Sequence, residues 1–536
     1  MKECFTGKWD FEADIVIAGF GGAGGCAAIE AHDAGAEIIL IEKQQENRHY
    51  PNTRMSGGGY HSPDPYGDRQ ALKQYALAMF SGQNLPWKFE GDATEYAQEL
   101  AEMWAEYAPQ NAAFMCGLDP DYKAVPAGEA GYPNFPGAKE SGYRNCNSTY
   151  MNDGVVHNFW ASPKAPKHEK EAGEAFFACI LHGVTERAIP VHYGTSAIKL
   201  LHDEDGVIIG VKACKDGREV FYKANKAVII TSGGFEYSKA MRSAFLDGYA
   251  IDGWAFYGTP ANTGDGIKMG VEAGAALSKV GSAAGRLIGS FPELRSGGLR
   301  IGIAMTSIGR EGSIVVNNFG ERYFNERDIS LDPLRYISYR HALQFDVERA
   351  TFPNTPSWFI FDEDHNKNWP LTTTNITEYF DVPWSKDNHE PIENGWILKA
   401  GSIEELTEKI RAHPDNKNNM TTKELVKSVN RFNELCALGI DEDFGREPEL
   451  MGPIAKGPFY ALPLFPGGPN TKGGLKANEK RQVVDWDGNV IARLYAAGEI
   501  ASVFKYVYQA GGNVGECIVC GRVAALNAVK EDAFHC

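Results

Sequence analysis

The sequence lacks the features that mark membrane and secreted proteins. No uninterrupted apolar run is long enough to cross a bilayer. The start of the chain has neither the apolar stretch nor the small-residue cleavage site of a signal peptide. We therefore expect a cytoplasmic protein without a membrane span.

Basic residues and cysteines are also scarce. The chain has 53 lysines and arginines against 70 aspartates and glutamates, a net charge of −17. Phosphate backbones need a basic surface, so we expect no nucleic-acid partner. The 10 cysteines are scattered, which does not fit a disulfide scaffold. Cys517 and Cys520 form a C-x-x-C without a second pair or a nearby histidine, so we interpret them as packing residues and expect no metal site.

A β-α-β pattern stands near the start of the sequence. The run DIVIAGF is typical of a strand buried on both faces, and EIILIEK indicates a second strand after a helical segment. Gly19, Gly21 and Gly24 form G-x-G-x-x-G at the first turn, and Glu42 ends the second strand. These glycines permit a tight turn, close approach of a pyrophosphate and helix–strand packing. We predict a dinucleotide site rather than a ligand-free helix start, with phosphates at the helix N-terminus and Glu42 on a ribose. The spacing alone does not separate FAD from NAD.

The composition changes along the chain. Residues 188–235 alternate as strands, with hairpin turns at DEDG and KDGR. From about residue 281 to 466 the glycine motifs thin out and aromatic residues increase, and the glycine-rich style then returns. This pattern indicates one discontinuous domain with a second domain inserted in it. The inserted region contains WFIF (358–361), and WAFY (254–257) precedes it. We interpret both as ordinary core rather than as pocket walls.

Eight segments resemble one family and keep its order along the chain. The chain is similar to the FAD-dependent fumarate reductase / 3-ketosteroid dehydrogenase superfamily in DIVIAGFGGAGG, NTRMSGGG, AVIITSGGF, NTGDGIKMG, GREGSIVVNNFGERYFNE, GPFYALPLFPGGPNTKGGL, LYAAGEIAS and AGGNVGECIVCGRVAA. The resemblance implies an α/β fold, in which a Rossmann-like FAD-binding domain is interrupted by an α+β substrate-capping domain. We expect the FAD-binding domain at 1–282 and 466–536, and the capping domain at 283–465.

The resemblance implies FAD as the cofactor. It places Glu42 on the adenosine ribose, the Ala197 backbone on the adenine, and Asp265 and Glu499 on the phosphate–ribityl stretch. It also places the helix that starts near Gly512 against the pyrimidine edge of the flavin, where a helix N-terminus stabilises the negative charge of the reduced ring. The implied FAD contacts are Gly19, Gly21, Gly22, Ala23, Gly24, Glu42, Lys43, Asn52, Thr53, Ser56, Gly57, Gly58, Ala197, Ser232, Gly233, Asp265, Gly498, Glu499, Asn513 and Val514.

The substrate motifs favour the ketosteroid dehydrogenase branch. The fumarate reductase branch clamps a dicarboxylate with histidine and arginine, but this chain has Pro469 and Asn470 in place of the histidines and Gln509 in place of the arginine. Tyr508 stands four residues before Gly512, as in the ketosteroid branch. There the tyrosine hydroxyl and the glycine N–H form an oxyanion hole for a ketone. The alternative for Tyr508 is a packing aromatic beside a loop.

The proton-transfer residue departs from the family pattern. The family places a tyrosine or an arginine five residues after the asparagine of an Asn-Glu pair, and here that position is Ser330, after Asn325 and Glu326. Serine alone is a poor acid or base. Among the neighbouring candidates Arg327, Arg335, Tyr336 and Tyr339, we favour Tyr336 or Tyr339 as the catalytic residue, because at helical spacing the two could share a face. The alternative for each of these residues is a purely structural role.

Three functions follow from these observations. The first is an FAD enzyme that moves two hydrogens across the α,β-carbons of a ketone, either a steroid or a smaller cyclic enone. The second is a reductase of an unsaturated carboxylate of the urocanate or cinnamate type. The third, a flavoprotein without catalysis, is disfavoured by the expected capping domain. The sequence has no second G-x-G-x-x-G unit, haem motif or iron–sulfur spacing, so we expect an external electron partner such as a quinone, a dye or a protein.

Overall fold

The computed structural model describes residues 5–81, 95–129, 131–141, 144–157, 162, 164–329, 336, 338–372, 379–505 and 507–533. The chain forms two compact units. The first contains Met1–Ser238, Gly258–Ser282 and Thr471–Cys536, and the second contains Lys239–Tyr257 and Ala283–Asn470.

The strands of the described residues are these: β1 Phe11–Ala18, β2 Ile38–Ile41, β3 Tyr60–His61, β4 Lys123–Glu129, β5 Arg144–Thr149, β6 Val191–His192, β7 Thr195–His202, β8 Ile208–Lys215, β9 Arg218–Ile230, β10 Ala255–Phe256, β11 Leu277–Gly289, β12 Arg295–Ser296, β13 Leu299–Ile301, β14 Ser313–Val316, β15 Ser357–Phe361, β16 Leu398–Ala400, β17 Phe459–Leu475, β18 Gln482–Val484 and β19 Val490–Ala496.

The α-helices of the same residues are these: α1 Gly22–Asp33, α2 Arg69–Ser81, α3 Glu95–Tyr107, α4 Asn111–Leu118, α5 Ala138–Ser141, α6 Ala172–Glu186, α7 Lys239–Phe245, α8 Asp265–Glu272, α9 Tyr339–Ala342, α10 Glu363–Asn368, α11 His389–Glu393, α12 Ile403–Ala412, α13 Thr422–Leu438 and α14 Gly512–Ala528.

The first unit is built on a mostly parallel sheet. Its strands run in the order β18-β19-β9-β1-β2-β6, with β7 and β8 added beside β9. The four residues of β2 are fully buried, and β1 is buried in its second half, as expected for strands covered on both faces. β1 pairs in parallel with β2, and α1 lies between them in sequence, so the predicted β-α-β unit is confirmed. The α/β fold class is confirmed as well.

The predicted hairpins are also present. β7 pairs with β8, and β8 pairs with β9, in antiparallel fashion. Gly206 and Gly217 adopt φ values of +85° and +76° in the two turns, which a glycine tolerates without strain.

In the same unit, α14 packs closely against α1. A Cβ on Gly521 would lie 2.5 Å from the Ala23 carbonyl oxygen, so only a glycine allows this approach.

The second unit contains a mixed sheet in the order β12-β13-β10-β17-β15-β14, and β16 also pairs with β17. Two hydrophobic clusters contain the buried side chains of β14 and β15, one with Phe359 and Phe361 and the other with Trp358 and Ile360. Trp254 and Phe256 are buried too. The interpretation of WAFY and WFIF as core is therefore confirmed.

Residues 239–257 belong to the second unit, although our predicted FAD-binding domain included them. The physical reason is strand pairing. Ala255 and Phe256 of β10 pair in parallel with β13 and with the Gly467–Gly468 segment of β17, and both partners lie in the second unit. The helices of the described residues include none that is long and apolar enough to span a membrane.

Candidate functional site

A cleft opens in the first unit where β1, β2 and β9 end. The carboxyl ends of parallel strands are the usual place for a ligand in such sheets. Thirteen of the predicted FAD contacts line the cleft: Gly19, Gly21, Gly22, Ala23, Glu42, Lys43, Asn52, Thr53, Ala197, Ser232, Gly233, Asp265 and Glu499. The other seven do not line it: Gly24, Ser56, Gly57, Gly58, Gly498, Asn513 and Val514.

The glycines of the first turn bring backbone groups close together. Gly19 has φ +115°, and a Cβ there would lie 2.6 Å from the Thr231 carbonyl oxygen. A Cβ on Gly24 would lie 2.0 Å from the Gly19 oxygen. Gly21 precedes α1 in an extended conformation, so the first-turn N–H groups of α1 begin at the cleft. This is the arrangement that binds a pyrophosphate at a helix N-terminus.

Two backbone N–H groups hold the Glu42 carboxylate in the cleft. Its Oε2 accepts a hydrogen bond from the Phe20 N–H at 2.9 Å, and Oε1 accepts one from the Gln44 N–H at 2.7 Å. Burial by itself would raise the pKa of Glu42, but the nearby His49 imidazole and the two N–H groups lower it overall. An ionised carboxylate at the end of β2 is suited to accept hydrogen bonds from ribose hydroxyls.

We expect Glu42→Ala to weaken FAD retention about tenfold to a hundredfold, because hydrogen bonds to charged groups contribute about 1.5–3 kcal/mol. Flavin fluorescence released during extensive dialysis measures this loss. Glu37→Ala, which removes an exposed carboxylate just before β2, is the matched control. Full flavin occupancy of the Glu42 variant after dialysis would contradict the ribose assignment.

Two clusters of polar side chains lie at the cleft, one around Lys43 and one around Asn52. Lys43 Nζ contacts Asp265 Oδ2 at 2.7 Å and the Thr263 hydroxyl at 2.8 Å. Asn52 Nδ2 donates to Glu236 Oε1 at 3.1 Å and to Glu499 Oε2 at 3.2 Å. Burial raises the pKa of Glu499 well above its ordinary value, and the neighbouring Glu236 carboxyl adds to this shift. Burial raises the pKa of Glu236 as well, so each of the two neighbouring carboxyl groups is harder to ionise than an isolated glutamate.

Sequence reasoning did not identify several polar groups in or beside the cleft. Glu236 and Asn262 are buried beside Asn52. The sequence signal for them was their place in the motifs GGFE and NTGD, which also contain the predicted contacts Gly233 and Asp265. Cys517 lines the cleft too, whereas Cys520 is fully buried as predicted. Burial raises the pKa of both thiols. Among the described residues no group of three or more His, Cys, Asp or Glu side chains is placed to hold a metal ion.

The cleft fits FAD on three observations. The glycine turn has no room for a Cβ at Gly19 or Gly24, an ionised carboxylate ends β2, and Ser232 Oγ is buried at the cleft without a hydrogen-bond partner in the described part of the chain. A buried hydroxyl without a partner is expected where a bound ligand supplies one.

The segment after Asn52 packs as a tight turn. The Ser56 hydroxyl donates to the Thr53 carbonyl oxygen at 2.7 Å and accepts from the Gly58 N–H at 3.0 Å. Gly58 has φ +64°, and a Cβ there would lie 2.1 Å from the Ala172 backbone. Gly498 has φ +80° and lies next to Ala23. These glycines thus have backbone roles next to the cleft.

Tyr508 and Gly512 meet at the N-terminus of α14. Gly511 precedes the helix with φ +80°. The Asn513 N–H donates to the Tyr508 hydroxyl oxygen at 3.2 Å. The Gly512 N–H donates to the Gln509 carbonyl oxygen at 3.1 Å, so this second predicted oxyanion donor is already engaged. Tyr508 is buried, with 5% of its surface exposed.

A buried lysine lies beneath this helix end, and sequence reasoning missed it. Lys472 has no exposed surface, and its Nζ lies 4.6 Å from the centre of the Tyr508 ring. It donates to Asn513 Oδ1 and, at 3.2 Å, to Glu516 Oε1. Lys472 belongs to the motif TKGGL. The signal available in the sequence was that this motif contains one charged residue among uncharged ones.

The predicted proton-transfer tyrosines lie in the second unit. The Tyr339 hydroxyl accepts a hydrogen bond from the Ala283 N–H at 3.2 Å, and burial raises the pKa of Tyr339. Tyr336 is half-buried. Ser330 and Arg335 lie outside the described residues. Arg327 is half-buried and forms an ion pair with Glu447.

Known proteins give a consistent result. The family described as FAD binding domain matches residues 14–514. A 3-oxosteroid 1-dehydrogenase from Mycolicibacterium smegmatis is 26% identical, with 96% of this chain and 97% of that protein covered. A fumarate reductase (cytochrome) from Shewanella frigidimarina is 25% identical, with 96% and 77% covered. The crystal structure of 3-ketosteroid Δ1-dehydrogenase from Sterolibacterium denitrificans superposes with a TM-score of 0.77 at 20% identity, over 97% of this chain and 99% of that one.

The family match over most of the chain, the glycine turn and the cleft agree with one another. FAD is the cofactor. The chain belongs to the FAD-dependent fumarate reductase / 3-ketosteroid dehydrogenase superfamily and is a flavoprotein oxidoreductase that acts on CH–CH bonds.

Proposed function

We propose that this flavoprotein exchanges a hydride with a carbon–carbon bond next to a ketone, as a 3-ketosteroid dehydrogenase or an enone reductase does. One observation carries the proposal. Tyr508 places a phenol oxygen 3.2 Å from the Asn513 N–H, at the N-terminus of α14, in the segment that the resemblance assigns to the flavin. Tyr508 is thus a neutral hydrogen-bond donor for a substrate oxygen.

The backbone around Tyr508 favours that role. The N-terminus of a helix carries about half a positive charge, so it stabilises an anion nearby. A hydroxyl that accepts a hydrogen bond becomes a stronger donor through its own hydrogen. Tyr508 is therefore suited to stabilise the negative charge that grows on a carbonyl oxygen when the neighbouring carbon loses a proton.

The chemistry divides between cofactor and protein. When bound, FAD accepts or gives the hydride at its N5 position. The part of Tyr508 is to polarise the ketone, which acidifies the adjacent C–H so that a proton can leave as the β-carbon loses its hydride. Reduction of an enone follows the same path backwards. Tyr336 and Tyr339 remain the proposed proton-transfer residues, and the Tyr339 hydroxyl already accepts a hydrogen bond from the Ala283 N–H.

Gln509 supports a neutral substrate. It stands where the fumarate reductase branch has an arginine, and it is 1% exposed. Its Oε1 accepts a hydrogen bond from the Tyr75 hydroxyl at 2.5 Å, which fixes the side chain without a charge. A carboxylate placed against this amide would lack the bidentate cation that it usually finds in proteins.

The names of similar proteins support the same substrate class. The Mycolicibacterium relative is a 3-oxosteroid 1-dehydrogenase, and the Sterolibacterium structure holds 1,4-androstadiene-3,17-dione. Other relatives are named for fumarate and for acrylate, each at no more than 26% identity. The unsaturated carboxylate is therefore the alternative that an experiment has to separate.

The test follows the flavin absorbance of the purified protein without oxygen. A saturated 3-ketosteroid added to the oxidised enzyme is expected to bleach the flavin. An androst-4-ene-3-one is the enone substrate for the dithionite-reduced enzyme, with fumarate, urocanate and cinnamate as the matched carboxylates. Reoxidation by the enone supports the proposal. Reoxidation by a carboxylate, with no response to any ketone or enone, would show that the enzyme is an unsaturated-acid reductase instead.

A further inference from the structure

The N-terminus of α14 rests on a buried pair of opposite charges. Lys472 and Glu516 are 0% and 1% exposed, and Lys472 Nζ lies 3.2 Å from Glu516 Oε1. The Ser502 hydroxyl donates to Glu516 Oε2 at 2.9 Å, and the Val503 N–H donates to the same oxygen at 3.0 Å. The carboxylate is thus fully hydrogen-bonded, which a buried charge requires.

Lys472 also contacts the groups that our proposed function uses. Its Nζ donates to Asn513 Oδ1, and the Asn513 N–H in turn holds the Tyr508 hydroxyl. The same ammonium lies 4.6 Å from the Tyr508 ring centre and 4.9 Å from that of Phe504. Cation–π contacts at these distances orient rings, and they are stronger when the cation is desolvated.

Close packing fixes this arrangement. Phe504 and Tyr508 meet edge to face, with ring centres 5.6 Å apart. A Cβ on Gly512 would lie 2.8 Å from Phe504 and 3.0 Å from Tyr508. A displacement of Lys472 would therefore move the Tyr508 ring and the Asn513 side chain together.

We propose that Lys472 is a positioning residue that holds Tyr508 and Asn513 and supplies positive charge to the N-terminus of α14. The sequence has no arginine at position 509, and the cation reaches this end of the helix from β17 instead. The negative charge of Glu516 partly offsets the positive charge of Lys472. The inference rests on the proposed function, because Tyr508 and Asn513 are placed at the flavin as a proposal.

The flavin reduction potential tests the charge in the substrate-free holoenzyme. Lys472→Met removes the positive charge and leaves Glu516, so the flavin should become harder to reduce. Glu516→Gln removes the negative charge and leaves Lys472, so the flavin should become easier to reduce. Lys472→Arg should restore a potential close to that of the unaltered protein. A purely structural role predicts no such opposition of sign.

The conditions and controls follow from the neighbouring charges. Burial lowers the pKa of Lys279, whose Nζ donates to the Val503 carbonyl oxygen, to about 7. The titration is therefore run about two pH units above that value, where Lys279 is largely neutral. Lys476→Met is the matched control. This partly exposed lysine follows β17 directly, and its ammonium lies over the Tyr96 ring instead of the Tyr508 ring.

Removing Lys472 alone leaves a buried carboxylate without its ion-pair partner, which could prevent folding. The double variant Lys472→Met/Glu516→Gln removes both charges, and its potential should fall between those of the single variants. If Lys472→Met does not fold, the rise expected in Glu516→Gln and the reversal of that rise in the double variant decide the question. Shifts of the same sign in the Lys472 and Glu516 variants, or no shift in either, would overturn the inference.

A second readout tests the positioning role. If Lys472 acts through Tyr508, Tyr508→Phe should slow flavin reduction much less in the Lys472→Met/Glu516→Gln background than in the unaltered protein. Equal slowing in both backgrounds would refute the coupling. The potential is measured without substrate, so an inactive substrate panel leaves that result valid. Conversely, active ketone turnover with unshifted potentials would remove only this inference.

Discussion

Tyr508→Phe is expected to slow flavin reduction by a saturated ketone about tenfold to a thousandfold, the range for loss of one oxyanion donor. The variant lacks the hydroxyl that we propose polarises the carbonyl. Its ring can remain over Lys472 and against Phe504, because neither contact involves the hydroxyl. Stopped-flow absorbance at the flavin band measures the rate, and FAD content should stay that of the unaltered protein.

The control for this prediction removes a hydroxyl from the same neighbourhood. The Tyr132 hydroxyl donates to the Tyr508 carbonyl oxygen at 3.4 Å, so Tyr132→Phe loses a phenol hydrogen bond without touching the proposed donor. We expect it to reduce the flavin at nearly the normal rate. A Tyr508→Phe enzyme that reduces as fast as the Tyr132 variant would exclude Tyr508 as the carbonyl donor.

Local rules were sufficient for the dinucleotide half of the fold. G-x-G-x-x-G, a buried strand on each side and Glu42 at the end of β2 each have a short-range physical reason, and the parallel pairing of β1 with β2 agrees with them. The hairpins between β7, β8 and β9 also followed from their turn residues. Periodicity and turn chemistry act over a few residues, so a single sequence displays them.

Long-range pairing was beyond such rules. Residues 239–257 join the second unit because β10 pairs with β13 and β17, and β17 lies more than two hundred residues further along the chain. Nothing in the short WAFY segment specifies those partners. The division of the chain into an FAD-binding domain and a substrate-capping domain stays a prediction.

The charge beside Tyr508 shows a second limit of inference from sequence motifs. The sequence has Gln509 where the fumarate reductase branch has an arginine, yet Lys472 brings a buried ammonium to the same helix end. A motif comparison considers one position at a time. A cation from another strand appears only when the chain is folded, and the nearby Glu516 explains why burial is tolerated.

Glu326 has a structural role that its motif did not indicate. The Asn325–Glu326 pair served in the sequence as a landmark for a proton-transfer residue, but Glu326 is fully buried in the second unit. Its carboxylate accepts two hydrogen bonds from Arg322, at 2.9 and 2.8 Å. Arg446 Nη1 lies 3.7 Å away, and the Val315 N–H donates to Oε1 at 3.2 Å.

Glu326→Ala is therefore expected to destabilise the second unit by about 3–5 kcal/mol, the cost of breaking a buried ion pair by removing one partner. Arg322 would then keep its ion pair with Asp441 at 3.0 Å, and Arg446 would lose its contact with the Glu326 carboxylate. Glu408→Ala is the control, because it removes an exposed partner of Arg411 and should cost at most about 1 kcal/mol. Hydrogen exchange of β14 and α13 peptides, measured by mass spectrometry, reports the stability of this unit separately. Equal protection in the two variants would mean that the arginines find other partners and that Glu326 is not required for the stability of the core.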